Sequence, residues 1–208
     1  FSAIGYFTTP VSLSPNVYVN KQGQRFLDET IFYGLKAEAL IKNDGIAYDI
    51  FDQTFVNSLS EANQTAVAQA VEKGTIVKGD SLADLAHKLD IPADALEATI
   101  SEFNANTKAG FDPHYYRDAN TMRTVENGPF YGMPVQLAHL GSIGGIVTNI
   151  DAQVLNVNGE VVPGLYAAGS VTGGFLGEVY PGSGSAISMV VTMGRVAGMN
   201  AAAEVAAK

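Results

Sequence analysis

The stretch GEVYPGSGSA (residues 177–186) decides how the C-terminal third of this chain is read. Behind a Tyr-Pro pair come two glycines and two serines, and then a long run rich in Ala, Val and Met. Small residues in such a place mark close backbone approach or positive φ. The run behind them, about 184–207, has helical spacing, with Ile187, Val190, Val191 and Gly194 on one face. Two readings of the turn stand side by side. It is a tight strand-to-helix connection without a ligand, or a helix N-terminus whose N–H groups face an electron-rich group, favoured by ~0.3–1 kcal/mol through the dipole. Arg195 and Glu204 interrupt the apolar run, so the helix is expected to be buried and not a membrane span.

Working outward, AAGSVTGG (167–174) is a second glycine-rich turn, and LYAAGS (165–170) reads as a strand ending in small residues. NGEVVPG (158–164) is a turn. GGIVTN (144–149), AQVLNV (152–157) and FYGMPVQLA (130–138) read as strands. This β-rich piece with one helix looks like half of a larger unit, because no G-x-G-x-x-G follows a first strand.

Before it lies an α+β block ending near residue 142. NVYVN (16–20), the turn KQGQ and an extended RFLDE (25–29) suggest a hairpin. Helices are expected over 35–45 with Gly45 as the stop, over 52–59, and over 61–74 with Gly74 as the stop. Strands are expected at 46–51 and 75–80. Ser81 with Asp84 three residues on makes a near capping box for a helix over 81–90. Pro92 opens a longer helix in which Leu96, Ile100 and Phe103 recur at helical spacing. Residues 110–130 read as irregular.

The 208 residues are 47% hydrophobic and 16% charged, which suits one large core or two smaller ones. A net charge of −9 argues against nucleic acid as a partner. There is no cysteine, which excludes disulfides, thiolate nucleophiles and Cys-bound metals. The opening FSAIGYFTTPVSLSPN has no basic leader and reads as the middle of a longer protein.

Several residues could carry chemistry. Tyr180 is a rim packing residue, or a phenol that donates to a substrate carbonyl together with a backbone N–H near Gly184, as an oxyanion hole does. In RFLDETIFY (25–33), Arg25, Asp28 and Glu29 suggest a solvated ion cluster worth little, and Tyr33 is a possible acid or base. His87, His114 and His139 lack metal-ligand spacing, so no metal site is expected. His139 alone lies near the glycine-rich region. There is no G-x-S-x-G, so serine-hydrolase chemistry has no support.

Together VNKQGQRFLDE, SLADLAHKLDIPADALEATISEFN, GGIVTNIDAQVL, GEVVPGLYAAGSVTGG and SAISMVVTMGRVAGMNAA resemble the fumarate-reductase / 3-ketosteroid-dehydrogenase superfamily of FAD-dependent oxidoreductases, in family order over nearly the whole chain. The resemblance implies a mixed-sheet cap (substrate) domain over 1–142, then over 143–208 the last part of an α/β FAD-binding domain, strands plus one long helix. It implies FAD as cofactor, a missing N-terminal FAD-binding half, an unidentified electron donor and a small substrate with an activated alkene. Ser185, Ala186 and Ile187 would sit against the flavin, and Gly169, Ser170 and Gly174 would line it, although family members usually have an acidic residue where Ser170 stands.

The departures bear on substrate. Where fumarate reductases place an arginine proton donor after RF.NE, an ungapped alignment puts Tyr33. Where they place the arginine that clamps a carboxylate, Tyr180 stands. The histidine before the family's glycine pair aligns with Gly141, unless His139 replaces it through a shifted loop. A tyrosine does not supply an arginine's bidentate charge. The steroid-dehydrogenase branch is more similar here: its Y-P-G-x-G matches Tyr180 and Gly184, and its tyrosine base matches Tyr33. AGSVTGG and TMGRVAG follow the reductase branch. The resemblance therefore implies hydride transfer on an enone-like or otherwise carbonyl-activated alkene. The alternatives are a fumarate reductase or succinate dehydrogenase flavoprotein with His139 and Arg25 recruited, and a substrate-cap module inert by itself.

Overall fold

The computed structural model describes the backbone of residues 3–142, 144–177 and 180–207, with side chains from Thr9 onward apart from His139 and Leu140. The chain divides into two compact units, Phe7–Ala138 and Phe1–Tyr6 with His139–Lys208.

In chain order the elements up to the boundary are β1 (Ala3–Thr8), β2 (Val17–Val19), α1 (Tyr33–Ile41), β3 (Ile46–Asp52), α2 (Gln53–Ser58), α3 (Glu61–Glu72), β4 (Val77–Gly79), α4 (Leu82–Leu89), α5 (Ala93–Ala109), a 3-10 turn (Ala119–Thr121) and β5 (Phe130–Ser142). The sheet order is β1-β5-β3-β2, with β4 also paired to β5. The β2–β3, β3–β5 and β4–β5 pairings are all antiparallel, where a mixed sheet was expected.

The larger unit forms where sequence periodicity says it should. Ser81 caps the helix by accepting the Asp84 N–H at 3.0 Å, while Asp84 accepts the N–H of Asp80, one residue before the cap, at 2.9 Å in place of the Ser81 N–H of a full box. Leu96, Ile100 and Phe103 bury one stripe of α5 in a core shared with Val17, Val19, Ile50 and Leu85. A second core lies on α2 and α3, where Phe51 stacks on Tyr131 with ring centres 5.3 Å apart. Gly45, at φ 75°, ends α1 by donating to Leu40 O at 2.8 Å.

The expected hairpin is not there. Residues 25–29 form no strand, and β2 pairs instead with β3, Val17 opposite Ile50 and Val19 opposite Tyr48. The reason is ionic. Arg25 and Glu29 turn inward to a buried cluster, and a segment committed to it cannot also run a ladder.

The smaller unit holds β6 (Gln153–Leu155), β7 (Val161–Tyr166) and α6 (Ser185–Ala206). β6 and β7 pair antiparallel. The strand thus starts in the VVPG expected as a turn, and 167–170 is loop. GGIVTN contributes only isolated bridges, Ile146 with Thr172 and Thr148 with Val154. α6 packs through Met189 and Met193 against Ala152, with Ala168 and Leu176 alongside. The face expected to be buried is the other one: Ile187 is 71% exposed and Val191 66%. No helix among the described residues is long and apolar enough to cross a membrane.

Candidate functional site

In the smaller unit two chain segments cross closely. Ile146 N–H donates to Val171 O at 2.9 Å, and Gly173 N–H donates to Ile146 O at 3.0 Å. A Cβ on Gly145 would stand 2.3 Å from Val171 O, and one on Gly173 2.3 Å from Gly145 N, so neither position accepts a side chain. Thr172, buried at this crossing, donates its hydroxyl to Gly169 O at 2.7 Å. Gly169 itself sits at φ 84°. The AAGSVTGG turn is thereby locked in shape from both sides.

The second glycine turn enters α6. Gly184 is its N-cap at φ 94°, a left-handed conformation with no side chain to cap the helix. Ser185 N–H donates to Gly182 O at 3.2 Å. Ala186 N–H donates to the phenol oxygen of Tyr180 at 3.1 Å, and Tyr180 is buried. Among the described residues the N–H groups of Gly184 and Ile187 make no hydrogen bond with the protein. A helix N-terminus that leaves the N–H groups of Gly184 and Ile187 uncapped suits an electron-rich edge.

A small cavity of about 20 Å³ brings Ser170 and Ala186 together with Ser142, Thr172, Phe175, Leu176 and Met189. Two of the expected cofactor residues, from the two glycine turns, thus share one wall. Gly174, at φ 81°, has open space where a Cβ would be. The side chain of His139 lies outside the described residues.

Tyr33 belongs to the larger unit. It is the first residue of α1, half-buried, with its ring centre 4.1 Å from that of Phe32. The turn before it is pinned by Asp28, whose carboxylate accepts from Thr30 N–H at 2.8 Å and the Thr30 hydroxyl at 2.7 Å. Glu29 anchors the turn from below. Fully buried, it accepts from Arg25 Nε at 2.8 Å and Nη2 at 2.9 Å, from Arg117 Nη1 at 2.9 Å and from Tyr18 N–H at 3.2 Å. Arg25 also reaches Asp112 at 3.0 Å and lies between the rings of Phe103 and Tyr115.

This corrects the expectation of a solvated cluster. The Arg25 side chain is 7% exposed and the Glu29 side chain 0%. Buried charges persist only when paired and hydrogen-bonded, and these are. Burial pushes Asp112 up, but the Arg25 hydrogen bond and charge outweigh it and hold the carboxyl below the usual range. Asp49, in β3, goes the other way: burial pushes it up to about 8, against hydrogen bonds from Asn16. Lys36, buried on α1, donates to Glu29 O at 2.7 Å. Neither Asp49 nor Lys36 was singled out in the sequence. The signal for Lys36 is its place beside Ala37 and Leu40 on the face of α1 that is buried. Among the described residues no group of three His, Asp or Glu is placed to hold a metal.

The small unit presents a glycine-walled helix N-terminus, and the larger α+β unit carries a pinned tyrosine. Residues 16–187 match the FAD binding domain family, and the chain belongs to it. FAD is the cofactor of that family. The chain is 36% identical to an NADH:acrylate oxidoreductase of Vibrio harveyi over 188 residues, which is 89% of this chain and 18% of that protein. It is 30% identical to a 3-oxosteroid 1-dehydrogenase of Mycobacterium tuberculosis over 216 residues, 90% of this chain and 38% of that protein. An open flavocytochrome c3 fumarate reductase matches in structure with a TM-score of 0.63 and 31% identity, over 91% of this chain and 32% of that one. The chain therefore spans well under half the length of these relatives.

Proposed function

We propose that this chain is part of an FAD-dependent oxidoreductase that moves hydride between the flavin and a carbonyl-activated C=C bond. In this reading residues 1–142 are the substrate-side cap and 143–208 the last part of the FAD-binding domain. A compact unit over Phe7–Ala138, distinct from His139–Lys208, supports it, although Phe1–Tyr6 groups with the second unit.

The residues present fit the cofactor. Ser185, Ala186 and Ile187 would hold the flavin at the mouth of α6, with the open N–H of Ile187 available to an electron-rich ring edge. Gly169, Ser170 and Gly174 would line it, where a locked turn leaves backbone uncovered. When bound, FAD supplies hydride exchange at its N5 with the substrate carbon β to the carbonyl. Tyr33 holds the proton exchanged at the α-carbon. The Tyr180 hydroxyl and the Gly184 N–H bind the substrate carbonyl oxygen, where negative charge gathers as the double bond reacts. A role for His139 rests on its place in the sequence before the glycine-rich region.

The observation that carries this reading is the Tyr180–Ala186 hydrogen bond. That bond fixes a neutral hydroxyl at the mouth of α6, whose N-cap is Gly184, and a neutral hydroxyl suits a carbonyl oxygen where a carboxylate calls for an arginine's charge. Arg25 does not favour a dicarboxylate, because Glu29 and Asp112 already occupy it. Relatives named as an NADH:acrylate oxidoreductase and a 3-oxosteroid 1-dehydrogenase are in keeping with the proposal. In the FAD-loaded protein containing this chain, Tyr33→Phe is expected to cut turnover by ~10²–10⁴ with substrate binding kept. Unchanged turnover overturns the role given to Tyr33.

A further inference from the structure

The sequence holds two Asn-Gly pairs, Asn127–Gly128 and Asn158–Gly159. Asparagine is among the chemically labile residues. A glycine after it leaves it most open to attack, because no Cβ shields the glycine nitrogen from the asparagine side-chain carbon. Both asparagines are exposed, so access to water does not separate them. What holds them does.

Asn127 is fixed at three points. Its N–H donates to Asp52 Oδ2 at 2.9 Å, its carbonyl accepts from Gln53 N–H at 3.1 Å, and its side-chain Nδ2 donates to the Thr54 hydroxyl at 3.1 Å. Asp52 is itself buried. The glycine that follows is crowded: a Cβ on Gly128 would stand 3.0 Å from the Phe130 ring and 3.1 Å from Asp80 O. For the Asn127 side chain to swing onto the glycine nitrogen, its bond to Thr54 has to break.

Asn158 stands in the loop between β6 and β7, where residues 156–160 are all exposed. The shape of that loop depends on Asn156. Its Oδ1 accepts the N–H groups of Asn158 at 2.9 Å and Glu160 at 3.0 Å, and its Nδ2 donates to Glu160 Oε2 at 3.0 Å. The Asn158 side chain makes no hydrogen bond among the described residues. Gly159, at φ 81°, has open space around it. Its N–H donates to Asn156 O at 3.0 Å, a bond that water replaces at small net cost on an exposed turn.

We propose that Asn158 is a site of spontaneous covalent modification, and that the fold protects Asn127 although it has the same neighbour. The step is intramolecular. The Gly159 nitrogen bonds to Asn158 Cγ and gives up its proton, the Cγ–Nδ2 bond breaks, and Nδ2 leaves as ammonia with that proton. Water then opens the cyclic imide. Opening at Cγ leaves aspartate; opening at the Asn158 main-chain carbonyl leaves isoaspartate, whose main chain runs through Cγ. Nothing is oxidised or reduced, and water is the only co-reactant. Either product places a new carboxylate two residues from Glu160. Isoaspartate also lengthens the main chain by one carbon, which removes the Gly159–Asn156 bond that closes the turn.

The test incubates the chain at mildly alkaline pH, native and unfolded in urea, and follows both pairs by peptide mass spectrometry. In the native chain Asn158 is expected to convert about five- to ten-fold faster than Asn127, the factor that one ordinary side-chain hydrogen bond imposes. In urea the two rates are expected to converge. Asn127 converting as fast as Asn158 in the native chain overturns the proposal. So does a native Asn158 that stays intact while the unfolded chain converts. Gly159→Ala puts a Cβ beside the attacking nitrogen and is expected to slow conversion at Asn158 while leaving Asn127 unchanged; an unchanged rate at Asn158 overturns attack by that nitrogen. The native and urea comparison needs no variant, so it decides the matter even where Gly159→Ala does not fold.

Discussion

The phenol oxygen of Tyr180 accepts the N–H of Ala186 at 3.1 Å, so a residue before the glycine turn closes the first turn of the helix that follows it. The glycine N-cap has no side chain to do this work. Tyr180→Phe keeps the ring and loses the acceptor, which is expected to cost about 1 kcal/mol in stability. In the FAD-loaded protein it is also expected to lower turnover by ~10²–10³, as loss of one oxyanion donor does. Thermal melts and steady-state rates check the two separately. A stability loss with full turnover would leave Tyr180 as a helix cap alone.

Glu29 is the centre of the buried ion cluster. Glu29→Ala leaves Arg25 and Arg117 buried without their shared carboxylate and is expected to cost about 3–5 kcal/mol. Urea denaturation measures it. Glu29→Gln, which keeps the shape and some acceptors, is expected to fall between that variant and wild type.

Gly145 tests the crossing between the two segments that lock the AAGSVTGG turn. Its alanine variant puts a Cβ on Val171 O and separates two segments that exchange hydrogen bonds, for an expected loss of about 2–3 kcal/mol. Gly74→Ala is the contrast. It has φ 71° but open space around it, so only the backbone term remains, about 1 kcal/mol. Denaturation midpoints of the two variants should differ clearly.

Asp49 makes stability depend on pH. Its folded-state value is raised to about 8 from an ordinary 3.8. Between those values the folded chain holds a proton that the unfolded chain has lost. The contribution is therefore full below about pH 4 and is lost as pH rises to about 8, with a slope of ~1.4 kcal/mol per unit at most. Wild type should lose urea resistance from pH 5 to pH 8 relative to Asp49→Asn, and the gap should stop growing above pH 8.

Much of the fold was legible in the sequence because it rests on local rules. The Ser81 cap and the Leu96, Ile100, Phe103 stripe depend on neighbours a few residues away, and both stand where periodicity puts them. The failures are non-local. RFLDE has a strand-like pattern, but Arg25 finds Asp112 eighty-seven residues on, and no spacing rule carries that information. α6 is apolar nearly all round, so its sequence does not say which face is covered; Met189 and Met193 are. At the site, the glycines announced close approach without telling what they approach. Tyr180 could be named from its motif, but its bond to Ala186 needed the turn's actual path. Lys36 was passed over because a lysine on a helix is usually at the surface.

The central claim is that the substrate is an alkene activated by a carbonyl and held by Tyr180, not a dicarboxylate held by arginine. The most direct measurement compares a cyclic enone with fumarate as hydride acceptors for the FAD-loaded protein containing this chain, using a reduced artificial dye as donor. The enone is expected to be turned over with a kcat/KM at least about 10²-fold above that for fumarate, the size of a missing charge-assisted contact. Fumarate reduced as well as the enone, or better, would contradict it.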